Sequence, residues 1–386
     1  MELRYGKPEE AGMLPEAVRH LEDTVQSWVD NGDIQNFVYL VARKGIIVSH
    51  KAVGYIRPEP GSPPVSVDTL YPLASLSKPI TTAAAMVLVD KGLLSLSFPV
   101  QYYIPEFQGE NKEKVLVRHL PIHASGLRSQ EIYEHMKKKE ENLELPPCPE
   151  NQHPEIHKRL NLMYDAPLWK KPGQEMSYCG DNIALLGEII RRISGMSLDS
   201  FTRKYLFDPM GMDSTRFIVP EEWFSRVVHR PEDIVGGKWF DTPFSMQLPS
   251  APGGCYSIVK DIAIFAQMFL NRGKYGNARI LSPASANQML INQAPGISSE
   301  YGEEFFKEAF YSYGWSIVDD KKEGSDLLSK RAINCGGAGG TELSFDPESE
   351  MVMVMFSIAD TPNDGKSVWY PKRYLFTNMA IAAIDD

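Results

Sequence analysis

The sequence predicts an α/β protein of the α+β type. One antiparallel sheet drawn from both ends of the chain is flanked by helices, and a mainly helical domain is inserted between its halves. Three observations predict this. Period-two apolar runs stand near the start, in "FVYLVARKGIIVSHKAVG", and again near the end, in "YGWSIVDD", "TELSFDP" and "MVMVMFSIA". The stretch between them, about 96–235, reads as helix and loop. The first and last periodic segments have helical spacing and are placed to cover the sheet. The expected division is a discontinuous sheet domain, 1–95 with 236–386, and a helical domain, 96–235, with the active site at their interface.

Each element has its own signal. Residues 14–29 carry apolar side chains at near-helical spacing. Residues 37–54 are two β-branched runs around Lys44-Gly45, a hairpin. "RPEPGSPPVSVDT" is a Pro/Gly/Ser loop. "ITTAAAMVLVDKG" is a helix that stops at Gly92 with Lys91 in its last turn. In the middle, "NIALLGEIIRRISG" is the clearest helix, closed by Gly195. "HMKKKEENLELPPCPENQHPEIHKR" is polar, charged and Pro-rich and reads as a surface insertion able to serve as a lid. "DIAIFAQMFLNRG" is amphipathic and helical. The three strands of the C-terminal part follow, then a last helix, "RYLFTNMAIAAI". No repeat or low-complexity tract interrupts the chain.

Composition narrows the function. The chain has 386 residues, 43% hydrophobic and 23% charged, enough to bury a large core. Its formal net charge of −10 opposes a nucleic-acid partner, which needs a basic face. No apolar run approaches the roughly 18 residues that span a bilayer, so no membrane partner is expected. "MELRYGKPEEAGMLPEAVRH" has no apolar core of a signal peptide. A cytoplasmic location is therefore expected, or secretion if a signal has been trimmed. Cys148, Cys179, Cys255 and Cys335 are far apart. They read as free thiols, mostly buried, with neither a disulfide framework nor a zinc knuckle. No metal and no cofactor is expected.

"YPLASLSKPITTAAAMVLVDKGLL" contains Ser75-Leu76-Ser77-Lys78. Roughly one or two Ser-x-x-Lys matches are expected by chance in such a chain, and a second does occur at Ser257 and Lys260. Surroundings separate them. On a helix, residues three apart share a face, so the Lys78 amine can reach the Ser75 hydroxyl. The helix start offers free N–H groups suited to an oxyanion, and Pro79 fits the first turn. The residues that follow are apolar, so Lys78 is carried into a dry place. Burial lowers the pKa of an amine and lets it accept a proton. The bland alternative is a serine N-cap beside a solvated lysine. Ser257 with Lys260 lacks an apolar sheath and is read that way. The chain has no Gly-x-Ser-x-Gly elbow.

Two further stretches matter. "KKPGQEMSYCGDNIALLGEIIRRISG" puts Tyr178 in a Gly-rich turn before a helix, and "NCGGAGGTELSFDP" runs a glycine cluster into a strand. With these the chain resembles the superfamily of serine β-lactamases, penicillin-binding proteins and family VIII carboxylesterases, especially the esterase-like branch. The resemblance is collinear from about residue 5 to 360. It rests on "ASLSKPIT", "VLVRHLPIHASGL", "PGQEMSYCGDNIALLGEII", "GGCYSIVKDIAIFAQMFLN" and "CGGAGGT" in that order. It implies a β-lactamase-like fold and gives Ser257 a structural position.

The resemblance also implies roles. Ser75 is the nucleophile that forms an acyl-enzyme. Lys78 helps take its proton. Tyr178 is the base in acylation and the proton donor to the leaving group. The backbone N–H groups of Ser75 and Ala338 form the oxyanion hole. Gly336, Gly337 and Gly339 let backbone approach the acyl group, beside Cys335 and Gly180. Two departures qualify this. The tyrosine motif ordinarily continues Tyr-x-Asn, and Gly180 has no amide with which to grip a substrate. The third motif ordinarily begins with Lys, His or Trp, and Cys335 cannot meet a substrate carboxylate as Lys does.

The expectation is therefore a serine hydrolase acting on a small-molecule ester, most simply a carboxylesterase. Amide hydrolysis (a D-amino-acid amidase or peptidase, or weak β-lactamase activity), acyl transfer to a small acceptor, and a non-catalytic scaffold role stay open, as does a homo-oligomer. Cys179, Cys255 and Cys335 are read as fillers. His153 and His157 are assigned to a surface loop, and His119 and His123 to the core or to loop anchoring.

Overall fold

The computed structural model describes residues 1–140, 144–232, 234, 236–237, 239–301, 304–321, 325–358 and 369–386. Its main sheet contains β1 (Arg4–Tyr5), β2 (Asn36–Arg43), β3 (Ile46–Gly54), β4 (Ser316–Ile317), β5 (Ile333–Gly337), β6 (Thr341–Asp346) and β7 (Met351–Ser357). The spatial order is β1-β3-β2-β7-β6-β5-β4, antiparallel except at the β1–β3 edge. The two ends of the chain meet where β2 pairs with β7, from Phe37↔Ser357 to Arg43↔Met351. Lys44 and Gly45 both have positive φ, at 51° and 75°, as the tight turn between β2 and β3 requires.

The helices that bear on the site are α1 (Pro15–Asp30), α2 (Ser77–Asp90), α3 (Ser129–Glu140), α4 (Pro154–Met163), α5 (Gly180–Ser194), α6 (Val259–Leu270) and α7 (Trp369–Ala382). β2 and β7 are buried on both faces, and period two sorts their side chains. Phe37, Tyr39, Val41, Met351, Met353 and Met355 face α1 and α7, where Val18, Leu21, Val25, Phe376 and Ala380 meet them. Val38, Leu40, Val352 and Val354 belong to the larger core on the other side, with α2, α5 and α6. Lys372 of α7 closes the terminal layer with a 2.6 Å ion pair to Asp33.

Three features differ from the sequence reading. β5 stands between β4 and β6, because its glycines hide the period-two signal of a strand. β1 adds a two-residue parallel edge too short to announce itself. The polar segment "HMKKKEENLELPPCPENQHPEIHKR" is helical at both ends, 135–140 and 154–159, with a loop over 144–153; 141–143 lie beyond the described residues. The apolar residues on either side of it, Ile132, Leu160 and Met163, are buried and anchor α3 and α4. Among the described residues, no helix is long and apolar enough to cross a membrane.

Candidate active site

Ser75 is presented by a bent chain. Tyr71–Pro72 pairs with Tyr256–Ser257, and the Leu73 N–H donates to the Cys255 carbonyl at 2.8 Å. Ala74 then takes φ +45°, a strained conformation for a residue with a Cβ. A 3-10 turn, Ala74–Leu76, leads into α2. The bend leaves Ser75 partly exposed between buried Ala74 and Leu76. Leu76, not Ser75, occupies the N-cap of α2, so capping is not what Ser75 does.

Lys78 lies on the first turn of α2 and is 4% exposed. Its Nζ is 2.9 Å from Ser75 Oγ and donates to the Pro252 carbonyl at 3.1 Å. Among the described residues, no carboxylate is paired with it. Burial, the largest influence, lowers its pKa to about 8, with Cys335 and then Cys179 acting in the opposite direction. Its neighbours on α2 fix the same loop. Thr81 donates to the Ala251 carbonyl at 2.8 Å, and Ser77 Oγ accepts the Cys255 N–H at 3.1 Å.

Tyr178 comes from the turn before α5. Its ring centroid is 4.8 Å from Lys78 Nζ and 4.6 Å from the His123 ring. His123 is fully buried. Its Nδ1 lies 3.3 Å from the Cys179 N–H and 3.0 Å from the Cys179 carbonyl. Burial, with the Lys78 charge added, pushes its pKa down to about 3, so a neutral imidazole backs the phenol. Cys179 is the α5 N-cap and Gly180 its first residue. A Cβ on Gly180 would touch Pro252 at 3.4 Å.

The glycine cluster forms the third side. Ser75 and Ala338 line one cavity of about 250 Å3, with Trp239, Phe240 and Leu248. Cys335 pairs with Leu343 in the β5–β6 ladder and is buried, its thiol pushed up to about 12 by burial and then by Glu342. Gly336 packs under the Glu342–Arg373 ion pair, 2.6 Å long. A Cβ at Gly337 would overlap the Leu73 carbonyl oxygen and Thr341 Oγ1, so only glycine lets β5 lie against the Ser75 bend. Gly337→Ala is expected to cost about 1–3 kcal/mol in urea unfolding and to lower turnover by moving Ala338.

Gly339, at φ +94°, is held from behind by Arg230. The Arg230 guanidinium is fully buried and ion-paired to Asp241 at 2.7 Å. It donates to the Gly339 carbonyl at 3.3 Å and lies over the Phe240 ring. Arg230→Met leaves the buried Asp241 carboxylate without its cation, holding only the residue-230 backbone N–H at 2.7 Å. It is expected to destabilise the fold by about 3–5 kcal/mol, much of which the double variant with Asp241→Leu recovers.

The structure thus brings Ser75, Lys78 and Tyr178 together, and puts Ala338, Cys335 and the glycines beside them. Arg230, the Pro252 carbonyl and the contact of His123 with Tyr178 were not among the site residues expected from the sequence. Of these, only His123 left a trace, as a histidine in the "HASGL" segment. Ser257 is fully buried and bonds Thr215 at 2.7 Å. His157 is on α4 and not in a surface loop, whereas His153 ends the loop that precedes the helix. His153 caps α4, accepting the Glu155 N–H at 3.2 Å. His157 is buried, with Gln152 Oε1 and the Pro146 carbonyl each 2.9 Å from its ring nitrogens.

A half-buried serine beside a desolvated amine, next to a glycine-edged strand of such a sheet, defines a serine hydrolase as the class. The chain belongs to the Beta-lactamase family, whose sequence profile matches residues 21–375. It is 25% identical over 361 residues to Protein Rv1367c of Mycobacterium tuberculosis, covering 86% of this chain and 87% of that one. Its fold is similar to that of EstCE1, "a hydrolase with promiscuous acyltransferase activity" (TM-score 0.72, 20% identity, 96% and 98% of the two chains). It is also similar to that of a penicillin-binding protein homologue from Caulobacter crescentus (TM-score 0.75, 16% identity, 96% and 99%).

Proposed function

We infer that this serine hydrolase is a carboxylesterase working through an acyl-enzyme. The observation that carries the reading is the Lys78 amine, 2.9 Å from Ser75 Oγ and lowered to about 8 by burial. As the neutral amine, Lys78 draws the hydroxyl proton while Oγ attacks the ester carbonyl carbon. Tyr178 shares the proton and delivers it to the departing alkoxide. The N–H groups of Ser75 and Ala338 hold the tetrahedral oxyanion. The C–O bond to the alcohol breaks, leaving the acyl group on Ser75. Water enters by the same route in reverse and releases the acid, restoring the serine. On this reading the cleft lies between the part 96–235 and the parts 1–95 and 236–386.

Ester preference follows from what the cleft offers a carboxylate. Cys335 presents a neutral thiol, and the guanidinium against Gly336, Arg373, is engaged by Glu342. Of the two described groups on that side, neither offers a β-lactam or a peptide C-terminus an unengaged cation, whereas an ester without a carboxylate needs none. The test is a direct comparison of p-nitrophenyl acetate, nitrocefin and a D-Ala-D-Ala peptide. The ester is expected to show the largest kcat/KM. Faster turnover of either amide-type substrate would overturn the ester assignment.

A further inference from the structure

A second cavity, of about 730 Å3, abuts the first. It lies between α4 and α5, lined by Ile156 and Leu160 on one side and Ala184 and Gly187 on the other, with Met196 and Ile218 closing it. Ser250 and Pro252 line both this cavity and the one that holds Ser75. The shared wall is the loop that α2 fixes through Lys78 and Thr81. It rests on α5 at two small residues. A Cβ at Gly180 would touch Pro252 at 3.4 Å, and one at Gly187 would press Ala251 at 2.7 Å.

The charges in this wall are already spent on each other. Glu188 takes Arg191 at 2.7 Å, Arg192 at 2.6 Å and Gln152 at 2.7 Å. Arg191 also donates to Asn151 at 2.7 Å. Arg159 is paired with buried Asp181 at 2.7 Å. Glu150 stays exposed at the rim. Apart from Glu150 at the rim, the charges named here are paired with one another, and an occupant meets mainly apolar surface, in a space of the size that small-molecule sites use.

We propose that this cavity is a substrate subsite that takes a bulky, uncharged apolar arm of the ester, reaching from Ser75 across Pro252 and Ser250. This rests on the esterase reading above. The arm is the acyl chain or the alcohol portion, which are chemically alike as hydrocarbon.

The experiment uses wild type, Ala184→Phe and Ile156→Phe, which fill the cavity from facing helices. Two kcat/KM ratios are measured, p-nitrophenyl octanoate over acetate and octyl acetate over ethyl acetate. In both variants at least one ratio is expected to fall about tenfold, the scale on which apolar pockets discriminate. The ratio that falls identifies the arm. If both ratios stay within about twofold of wild type, the inference is overturned. If no ester is turned over by any of the three proteins, the esterase reading fails, and the cavity is judged by binding of the neutral fluorophore N-phenyl-1-naphthylamine. Enhancement lost in both variants upholds an apolar-ligand site. Equal enhancement in all three overturns it.

Discussion

Ser75→Ala is expected to lower kcat for p-nitrophenyl acetate by roughly 10^4-fold or more, the scale of removing a serine nucleophile, while leaving the thermal midpoint nearly unchanged. Ser75 is partly exposed and does not cap α2, so its hydroxyl carries little of the fold. Ser257→Ala is the matched control. It keeps the other Ser-x-x-Lys match in view, but its hydroxyl is fully buried against Thr215 and faces no amine. That variant is expected to lose stability and retain turnover. Equal slow turnover by wild type and Ser75→Ala would contradict the assignment of the nucleophile.

Lys78→Met is expected to separate catalysis from stability. Losing the amine should lower kcat by roughly 10^2–10^4-fold, the usual contribution of a positioned base. The same change relieves a burden on the fold. Burial lowers the Lys78 pKa from 10.5 to about 8, so the folded state binds this proton less tightly than the unfolded chain does. Between those values the unfolded state holds more protons, and stability rises with pH across that window. Below about pH 8 the full cost of a buried charge, roughly 3 kcal/mol, opposes folding. Methionine removes it and forfeits the bonds to Ser75 and Pro252, each worth about 1 kcal/mol. At neutral pH the thermal midpoint of Lys78→Met is therefore expected to equal or exceed that of wild type. A clear drop would show that the amine is not held against its charge.

Much of this arrangement is legible in the sequence, for identifiable reasons. The β2–β3 hairpin and the runs of β6 and β7 carry undiluted period two, and pairing them closes the sheet from both ends. Ser75, Lys78, Tyr178 and the glycine cluster stand in short segments whose local chemistry is unusual. What escapes the reading is held by tertiary contact. Arg230 and Asp241 are two ordinary charges until folding buries them together behind Gly339. The carbonyls of Ala251 and Pro252 have no signature in residue type, yet they receive Thr81 and Lys78. α3 and α4 look like a solvated insertion because only a few of their residues, Ile132 and Leu160 among them, are buried. His157 follows the same misreading, since Pro154 opens a helix at its first position instead of breaking one.

The central claim is that a lysine whose pKa burial lowers to about 8, so that it sheds its proton readily, activates a single serine. Time-resolved labelling of the intact protein with a fluorophosphonate, read by mass spectrometry with the adduct mapped to its residue, tests it most directly. One adduct on Ser75 is predicted, with a rate constant that climbs through about pH 8 and loses that inflection in Lys78→Met. Labelling at another residue, no labelling at all, or a Ser75 rate that does not change across that pH range would contradict it.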